Sequence, residues 1–415
     1  IDTYKEIQGI ETDIRKAHTR SRLYMLANKL EKDNFLLEGL DLDMSTAIGY
    51  TQYGLVDTAK VWYDWSGVSY PTPSLHGGEL GTRYASESDN KKATFMNKLS
   101  LEYLIDKHHS VSFNSVFTLA NGYPSDPTKE KSLGKKTDFD SRMRSWTVGL
   151  TYDYRTKNDK FLNSLTSRYY WYSMNTSYQN IYVNIPVEDI NLNKNSIGFS
   201  NAMRYRFTPS FMVKLSGGYD VRIPSENELL GDGYTISPSE RLLPERNLSA
   251  NVGVLYDVTG IHPSNLQIEL SGYYMYLQDM IRFTKGIFGA QYQNFGEMRT
   301  LGVEFEVKAD IFPFLYTYGN ATYQDLRDVR SHEEGSNIPN ATKGKRMPNI
   351  PYFMGNAGLE FHKENLFGGK GQNTRLFVDL AFVEEYLYDF EITENAKRRI
   401  PRSTTIDLGF EYSFM

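Results

Sequence analysis

"LGVEFEVKA", residues 301–309, alternates apolar and polar side chains without a break. Side chains on a strand point to opposite faces with period two, so Val303, Phe305, Val307 and Ala309 share one face. Glu304, Glu306 and Lys308 share the other. The pattern recurs about fifteen times along the chain, for instance at Trp146–Val148–Leu150–Tyr152–Tyr154, Leu376–Val378–Leu380–Phe382 and Ile406–Leu408–Phe410–Tyr412. Strands are predicted at 20–31, 35–51, 92–105, 108–120, 141–155, 162–178, 195–207, 210–222, 247–258, 265–282, 290–310, 312–325, 351–361, 374–388 and 400–414. Many run 11–18 residues, whereas globular sheets use about five or six. What the apolar faces meet decides the fold.

Strands of this length fit a tilted crossing of a bilayer. The predicted connections alternate in size: short near 32–34, 106–107, 156–161, 208–209, 259–264, 311–313 and 362–373, long at 52–91, 121–140, 179–194, 223–246, 283–289, 326–350 and 389–399. Outer-membrane barrels pair short periplasmic turns with long external loops in this way. The 283–289 loop is small for its set and the 362–373 turn large. Unpaired strand edges cannot be hydrated in hydrocarbon, so the expected fold is all-β, an antiparallel transmembrane β-barrel. Its apolar faces meet lipid and its polar faces a wet lumen. The competing reading is a soluble extracellular β binding or adhesion module whose apolar faces cover each other.

Composition bounds the chemistry. Net charge is -5 with 46 basic and 51 acidic residues in 415, which argues against a nucleic-acid partner. The absence of Cys excludes disulfides, thiolate zinc sites and Cys nucleophiles. No apolar run approaches the roughly 18 residues of a membrane-spanning helix. A barrel escapes that test, because only half of its residues face lipid. The 31 Tyr and 23 Phe, with Trp62, Trp65, Trp146 and Trp171, suit interface girdles and aromatic loop tips.

The loop at 57–91 is the richest in binding chemistry. Trp62, Tyr63, Trp65 and Tyr70 could stack on a sugar, catecholate or porphyrin, with His76 and Arg83 as polar partners. The same rings could instead anchor the loop at the membrane surface. The seven His are scattered at 18, 76, 108, 109, 262, 332 and 362, so no metal site or cofactor is expected. Glu384 and Glu385 diverge on a strand, and no general acid/base pair is expected, hence no enzyme. "TKEKSLGKK" (128–136) reads as a basic loop suited to water or anionic lipopolysaccharide, and "FGGKGQN" (367–373) as a turn.

Four stretches, in order, carry a resemblance. They are "RIPSENELLGDG" (222–233), "SPSERLLPERNLSANVGVLYD" (237–257), "YQNFGEMRTLGVEFEV" (292–307) and "YTYGNATYQDLRD" (316–328). The matched positions are Arg222, Pro224, Glu228 and Leu229; Leu242, Pro244, Glu245 and Arg246; then Asn294, Gly296, Gly302, Val303, Glu304 and Glu306. The chain resembles the β-barrel portion of TonB-dependent outer-membrane receptors. That resemblance implies a barrel of twenty-two strands and an N-terminal plug, with energy-coupled uptake of a siderophore, haem, cobalamin, glycan or peptide. It implies the TonB energy-transducing complex as partner and leaves a surface lipoprotein open. Asp220, Arg222, Glu304 and Glu306 would face the lumen and the plug. No plug-like stretch or TonB-contacting box is recognisable, and the strand count is odd where single-chain barrels use even numbers. Residues 1–415 are therefore expected to be a partial barrel without its plug, truncated at both ends. A passive porin is the remaining alternative.

Overall fold

Antiparallel pairing runs through fifteen long strands with every neighbour in space also a neighbour in sequence. The computed structural model describes residues 3–7, 10–14, 17–58, 61–64, 68–71, 86–179, 186–231, 236–237, 239, 241–258, 265–286, 289–332, 337–368, 371–390 and 398–414. The strands of the large sheet are β1 (His18–Lys32), β2 (Leu40–Asp57), β3 (Ser86–Leu104), β4 (His109–Tyr123) and β5 (Ser141–Arg155). They continue as β6 (Phe161–Tyr178), β7 (Glu188–Thr208), β8 (Phe211–Arg222), β9 (Glu245–Asp257) and β10 (Leu266–Gln278). β11 (Met298–Phe312), β12 (Leu315–Asp328), β13 (Phe353–Glu364), β14 (Asn373–Val383) and β15 (Ser403–Ser413) complete the sheet. β1 and β15 do not pair with each other, so the wall is open.

Each predicted strand has its counterpart, but several boundaries needed correction: the strands expected at 92–105 and 195–207 begin earlier, at Ser86 and Glu188, and the one expected at 374–388 ends at Val383. The strand expected at 35–51 lies at Leu40–Asp57, because Asn34 and Leu36 adopt positive φ and the Asn34 side chain accepts from the Gly39 amide at 2.8 Å. The apolar "FLL" of 35–37 is thereby spent on a turn. The strands expected at 265–282 and 290–310 stop at Gln278 and start at Met298. Between them Ile281–Gly286 and Gly289–Asn294 form a separate hairpin. With that correction the alternation of connections is strict. One end has connections from the two residues 209–210 to the eight residues 365–372, the other from the nine residues 179–187 to the twenty-eight residues 58–85.

Register assigns the faces. Phe305 lies opposite Leu270 and Ala321, and the row continues through Val254, Val213 and Tyr205. Glu304 lies opposite Ser271 and Thr322, and Glu306 opposite Glu269 and Asn320. The apolar face is the open one: Leu165 is 51% exposed, Val252 50%, Val303 49% and Leu359 50%. Two packed sheets would cover such residues with a second layer about 10 Å away. No second layer exists among the described residues, which rules out the sandwich reading. On β13 the outward run is Phe353, Gly355, Ala357, Leu359, Phe361. Its aromatic ends are about 26 Å apart along the strand at roughly 3.3 Å per residue, the scale of a lipid-facing band.

The inner face is polar but well packed. Tyr273, Tyr318 and Phe377 lie directly opposite Gly302, Gly358 and Gly409. Each ring covers its glycine so closely that any Cβ there would collide with it. Glycine is needed at these positions because an aromatic ring occupies the side-chain space.

Candidate functional site

At the long-loop end, β8 finishes at Arg222 directly opposite Glu245, the first residue of β9. The Arg222 guanidinium donates Nε and Nη2 to both Glu245 oxygens at 2.6 and 2.8 Å, and Nη1 to the Glu228 carboxylate at 2.8 and 3.1 Å. Such forked pairs are strong because every bond is charge-assisted and the fork matches the carboxylate. Glu228 closes a capping box on helix α2 (Glu226–Leu230). Its carboxylate accepts from the Ser225 amide at 2.7 Å, while Ser225 Oγ accepts from the Glu228 amide at 3.3 Å. Burial pushes the Glu228 carboxyl up, but the bonds from Arg222 and Ser225 outweigh it and hold the group below its ordinary range.

The clamp extends sideways. Glu245 also accepts from the Ile281 amide at 2.7 Å. Asn294 accepts from the Leu243 amide at 2.8 Å and donates to the Leu243 and Asp279 carbonyls at 3.0 and 2.6 Å. The two long connections 223–244 and 279–297 are thus tied to each other. Beneath them Leu229 is fully buried among Met143, Tyr172, Met174, Ile190, Leu242 and Ile281. Tyr172 and Met174 share the face of Glu304, traced through Leu162, Arg204, Lys214, Gly253 and Ser271. The loop therefore folds onto the polar, inner side of the wall. Lys92 of β3 reaches Glu226 of α2 at 3.2 Å, although five strand positions separate β3 from β8. One five-residue helix can touch both only if the wall curves around it.

Replacing Arg222 with Gln is expected to leave Glu228 and Glu245 facing each other without their shared cation. Local stability should fall by about 1–3 kcal/mol, since hydrogen bonds to charged groups contribute about that much and the site is partly wet. Hydrogen exchange should speed up at 226–230 and 281, with the strand ladder unchanged.

A second knot lies at the top of β12. Asp328 is fully buried and accepts from Arg330 Nη2 at 2.7 Å, Thr342 Oγ1 at 2.5 Å and Asn340 Nδ2 at 3.0 Å. Arg330 also lies over the Phe295 ring, 3.9 Å from its centroid. A third knot is at α1 (Pro127–Leu133), where Asp126 caps the helix by accepting from the Lys129 amide at 3.0 Å and binds Ser86 Oγ at 2.5 Å. The basic segment 128–136, expected as a loop, is thus helical through Leu133. Proline at the start and Gly134 at φ +63° set its limits.

Of the predicted ligand residues, Trp65, His76 and Arg83 lie outside the described residues. The backbone puts Trp62 and Tyr63 on Val61–Asp64 and Tyr70 on Ser69–Pro71, with Trp62 opposite Tyr70 in register. On the inner wall, Asp220 pairs with Arg168 at 2.6 Å and Lys214 with Glu269 at 2.8 Å. Glu306 pairs with Lys308, and Glu304 has no ion-pair partner among the described residues. Arg222, expected to face a plug, is engaged by Glu228 and Glu245. Sequence reading missed this role because Glu245 is brought opposite only by strand register. Among the described residues no group of three His, Asp or Glu could hold a metal. Glu384 and Glu385 lie just past β14, and each pairs with an arginine: Arg402 at 3.6 Å and Arg399 at 2.8 Å.

A curved antiparallel wall, apolar and open outside, charged inside and roofed at one end by infolded loops, defines a β-barrel protein of membranes. The family model described as TonB dependent receptor-like, beta-barrel matches residues 4–415, and the chain belongs to that family, a receptor and transport family characteristic of Gram-negative outer membranes. None of the curated protein sequences matches the chain. Its fold is similar to that of the ferric yersiniabactin uptake receptor FyuA of Yersinia pestis, at TM-score 0.61 and 12% identity over 96% of this chain and 54% of that one. It is also similar to the copper transporter OprC (TM-score 0.64, 12% identity, 96% and 56% covered). The FrpB iron transporter of Neisseria meningitidis, F3-3 variant, gives TM-score 0.64 at 10% identity with 96% and 55% covered. The chain spans little more than half the length of these proteins.

Proposed function

We propose that residues 1–415 form the barrel wall of an outer-membrane receptor for energy-coupled uptake of a scarce nutrient. The observation carrying this reading is the infolded loop end. α2 and its clamp sit over the inner face, where a cargo descending from outside would arrive. FyuA, OprC and FrpB are named for ferric yersiniabactin, copper and iron. A siderophore, haem, cobalamin, glycan or peptide remains the cargo class for this chain. Trp62, Tyr63, Trp65, Tyr70, His76 and Arg83 are the proposed cargo contacts, by aromatic stacking and charge. Asp220, Glu304 and Glu306 are proposed to meet a plug, through which the TonB complex would transmit energy. No bond is made or broken in this reading.

The test is cargo accumulation by cells making the complete protein. Accumulation should collapse when the inner-membrane energy-transducing complex is deleted. Uptake that persists, with open ion conductance, would support a passive pore instead. Glu304→Gln combined with Glu306→Gln is expected to increase leakage of large antibiotics several-fold. Unchanged permeability would count against the plug contact.

A further inference from the structure

A polar row crosses the middle of the outer surface on β1–β3. The outward face runs from Trp171 of β6 through Trp146 and Phe117 to Asn97, Thr46 and Asn28, each opposite the next in register. Apolar outward rows flank it: Leu26, Ile48 and Phe95 toward the long loops, Leu30, Met44 and Leu99 toward the short turns. Asn28 lies midway between Tyr24 and Lys32, about 13 Å along the strand from each at roughly 3.3 Å per residue. The row therefore sits inside the apolar band and not at its rim. Other strands present Val252, Val303, Leu359 and Leu380 within their outward runs. Outward polar groups elsewhere in the band hold one another. Asn163 donates to Asn201 Oδ1 at 3.1 Å, Asn201 to the Ser164 carbonyl at 3.2 Å, and Trp146 Nε1 to Ser115 Oγ at 2.9 Å. The row on β1–β3 closes one such bond, from Asn97 Nδ2 to Thr46 Oγ1 at 2.8 Å. An amide carries two N–H bonds and a carbonyl, a hydroxyl one O–H. Among the described residues, the Asn97 carbonyl, the Thr46 O–H and the Asn28 amide have no hydrogen-bond partner. Hydrocarbon offers them none, and polar groups left unpaired there are costly.

We propose that this row is the centre of an interface with a second copy of the chain, packed wall to wall in the membrane. The inference rests on the reading of the outward face as lipid-facing. The row itself selects the occupant, because it reads Asn–Thr–Asn from either end. A two-fold axis along the membrane normal, passing beside Thr46, sets the two threonines against each other. It also brings the Asn28 end of one row toward the Asn97 end of the other. Amides and hydroxyls both donate and accept, so like meets like without mismatch. Polar side chains join membrane-spanning segments in this way. The flanking Leu, Ile and Met side chains then interdigitate at the spacing of packed sheets, about 10 Å.

The complete protein is to be oxidised in intact outer membranes carrying Thr46→Cys or, as a lipid-facing control on β13, Leu359→Cys. Only Thr46→Cys should give a covalent dimer beyond that of the unsubstituted protein, since a disulfide needs Cβ atoms about 3.5–4.5 Å apart. Asn28→Leu combined with Asn97→Leu should keep heat-modifiable gel mobility, because leucine suits a lipid face. The pair should weaken dimerisation in detergent about tenfold, the scale of one or two hydrogen bonds within a membrane. Equal yields from the two cysteines overturn the proposal, as does a dimer whose affinity survives the leucine pair. A Thr46→Cys adduct to a different protein overturns the second copy as occupant. Complete labelling of both cysteines by a membrane-impermeant maleimide would sink the lipid-facing reading first, and the interface with it.

Discussion

Phe305→Arg should destabilise the folded protein by about 2–4 kcal/mol, whereas Glu304→Arg on the adjacent residue should change stability by less than about 1 kcal/mol. Phe305 sits within the outward run Leu301, Val303, Phe305, Val307 and is 41% exposed, with apolar neighbours Leu270 and Ala321 across the ladder. A guanidinium there must shed its water or thin the bilayer locally, and lipid-facing Arg near the midplane costs about that much in barrels. In a water-facing surface strand the same change would be nearly neutral. Glu304 faces the inner wall, where an arginine keeps its water. Urea unfolding of vesicle-reconstituted protein, followed by tryptophan fluorescence, reads both values. Equal effects at 304 and 305 would remove the two-sided character of the wall.

Asp328→Ala is expected to open the external loop it anchors, at a local cost of about 3–5 kcal/mol. The substitution strips Arg330, Asn340 and Thr342 of their common acceptor, and leaving one partner of a buried pair uncompensated costs on that scale. Proteolysis or hydrogen exchange at 337–347 should report it, with β11 and β12 still protected. The same carboxyl makes the loop acid-labile. Burial pushes Asp328 up, but hydrogen bonds from Arg330, Thr342 and Asn340 outweigh it and bring the pKa to about 2, from an ordinary 3.8. A depressed folded-state pKa means the stabilisation is complete above about pH 4 and disappears as pH falls through about 2. It amounts to about 2 kcal/mol. Exchange at 337–347 should therefore accelerate between pH 4 and 2, and Asp328→Ala should abolish that dependence.

The strand rhythm was legible because a barrel wall presents one uniform environment per face, so alternation survives from strand to strand. β11 could be read residue by residue from "LGVEFEVKA". Boundaries were less legible where another local signal ran on. The hairpin strands Ile281–Gly286 and Gly289–Asn294 run on from β10 and into β11 in sequence, and the positive φ of Asp279 and of Gly296 marks the two breaks. The clamp residues were visible as family motif positions, yet their partnership was not. Arg222 and Glu245 meet because β8 and β9 pair in one register, and sequence spacing carries no trace of that. Asp328 was invisible for the same reason: Asn340 and Thr342 return to it across a loop.

The central claim is that the apolar face of this wall touches lipid. Nitroxide labels placed singly at 301 and at 303 through 308, in vesicle-reconstituted protein, test it most directly through their accessibility to oxygen and to a water-soluble nickel chelate. Labels at 301, 303, 305 and 307 should collide mainly with oxygen, and those at 304, 306 and 308 mainly with the chelate. Odd-numbered labels shielded from both reagents, as under a covering layer of protein, would contradict the account.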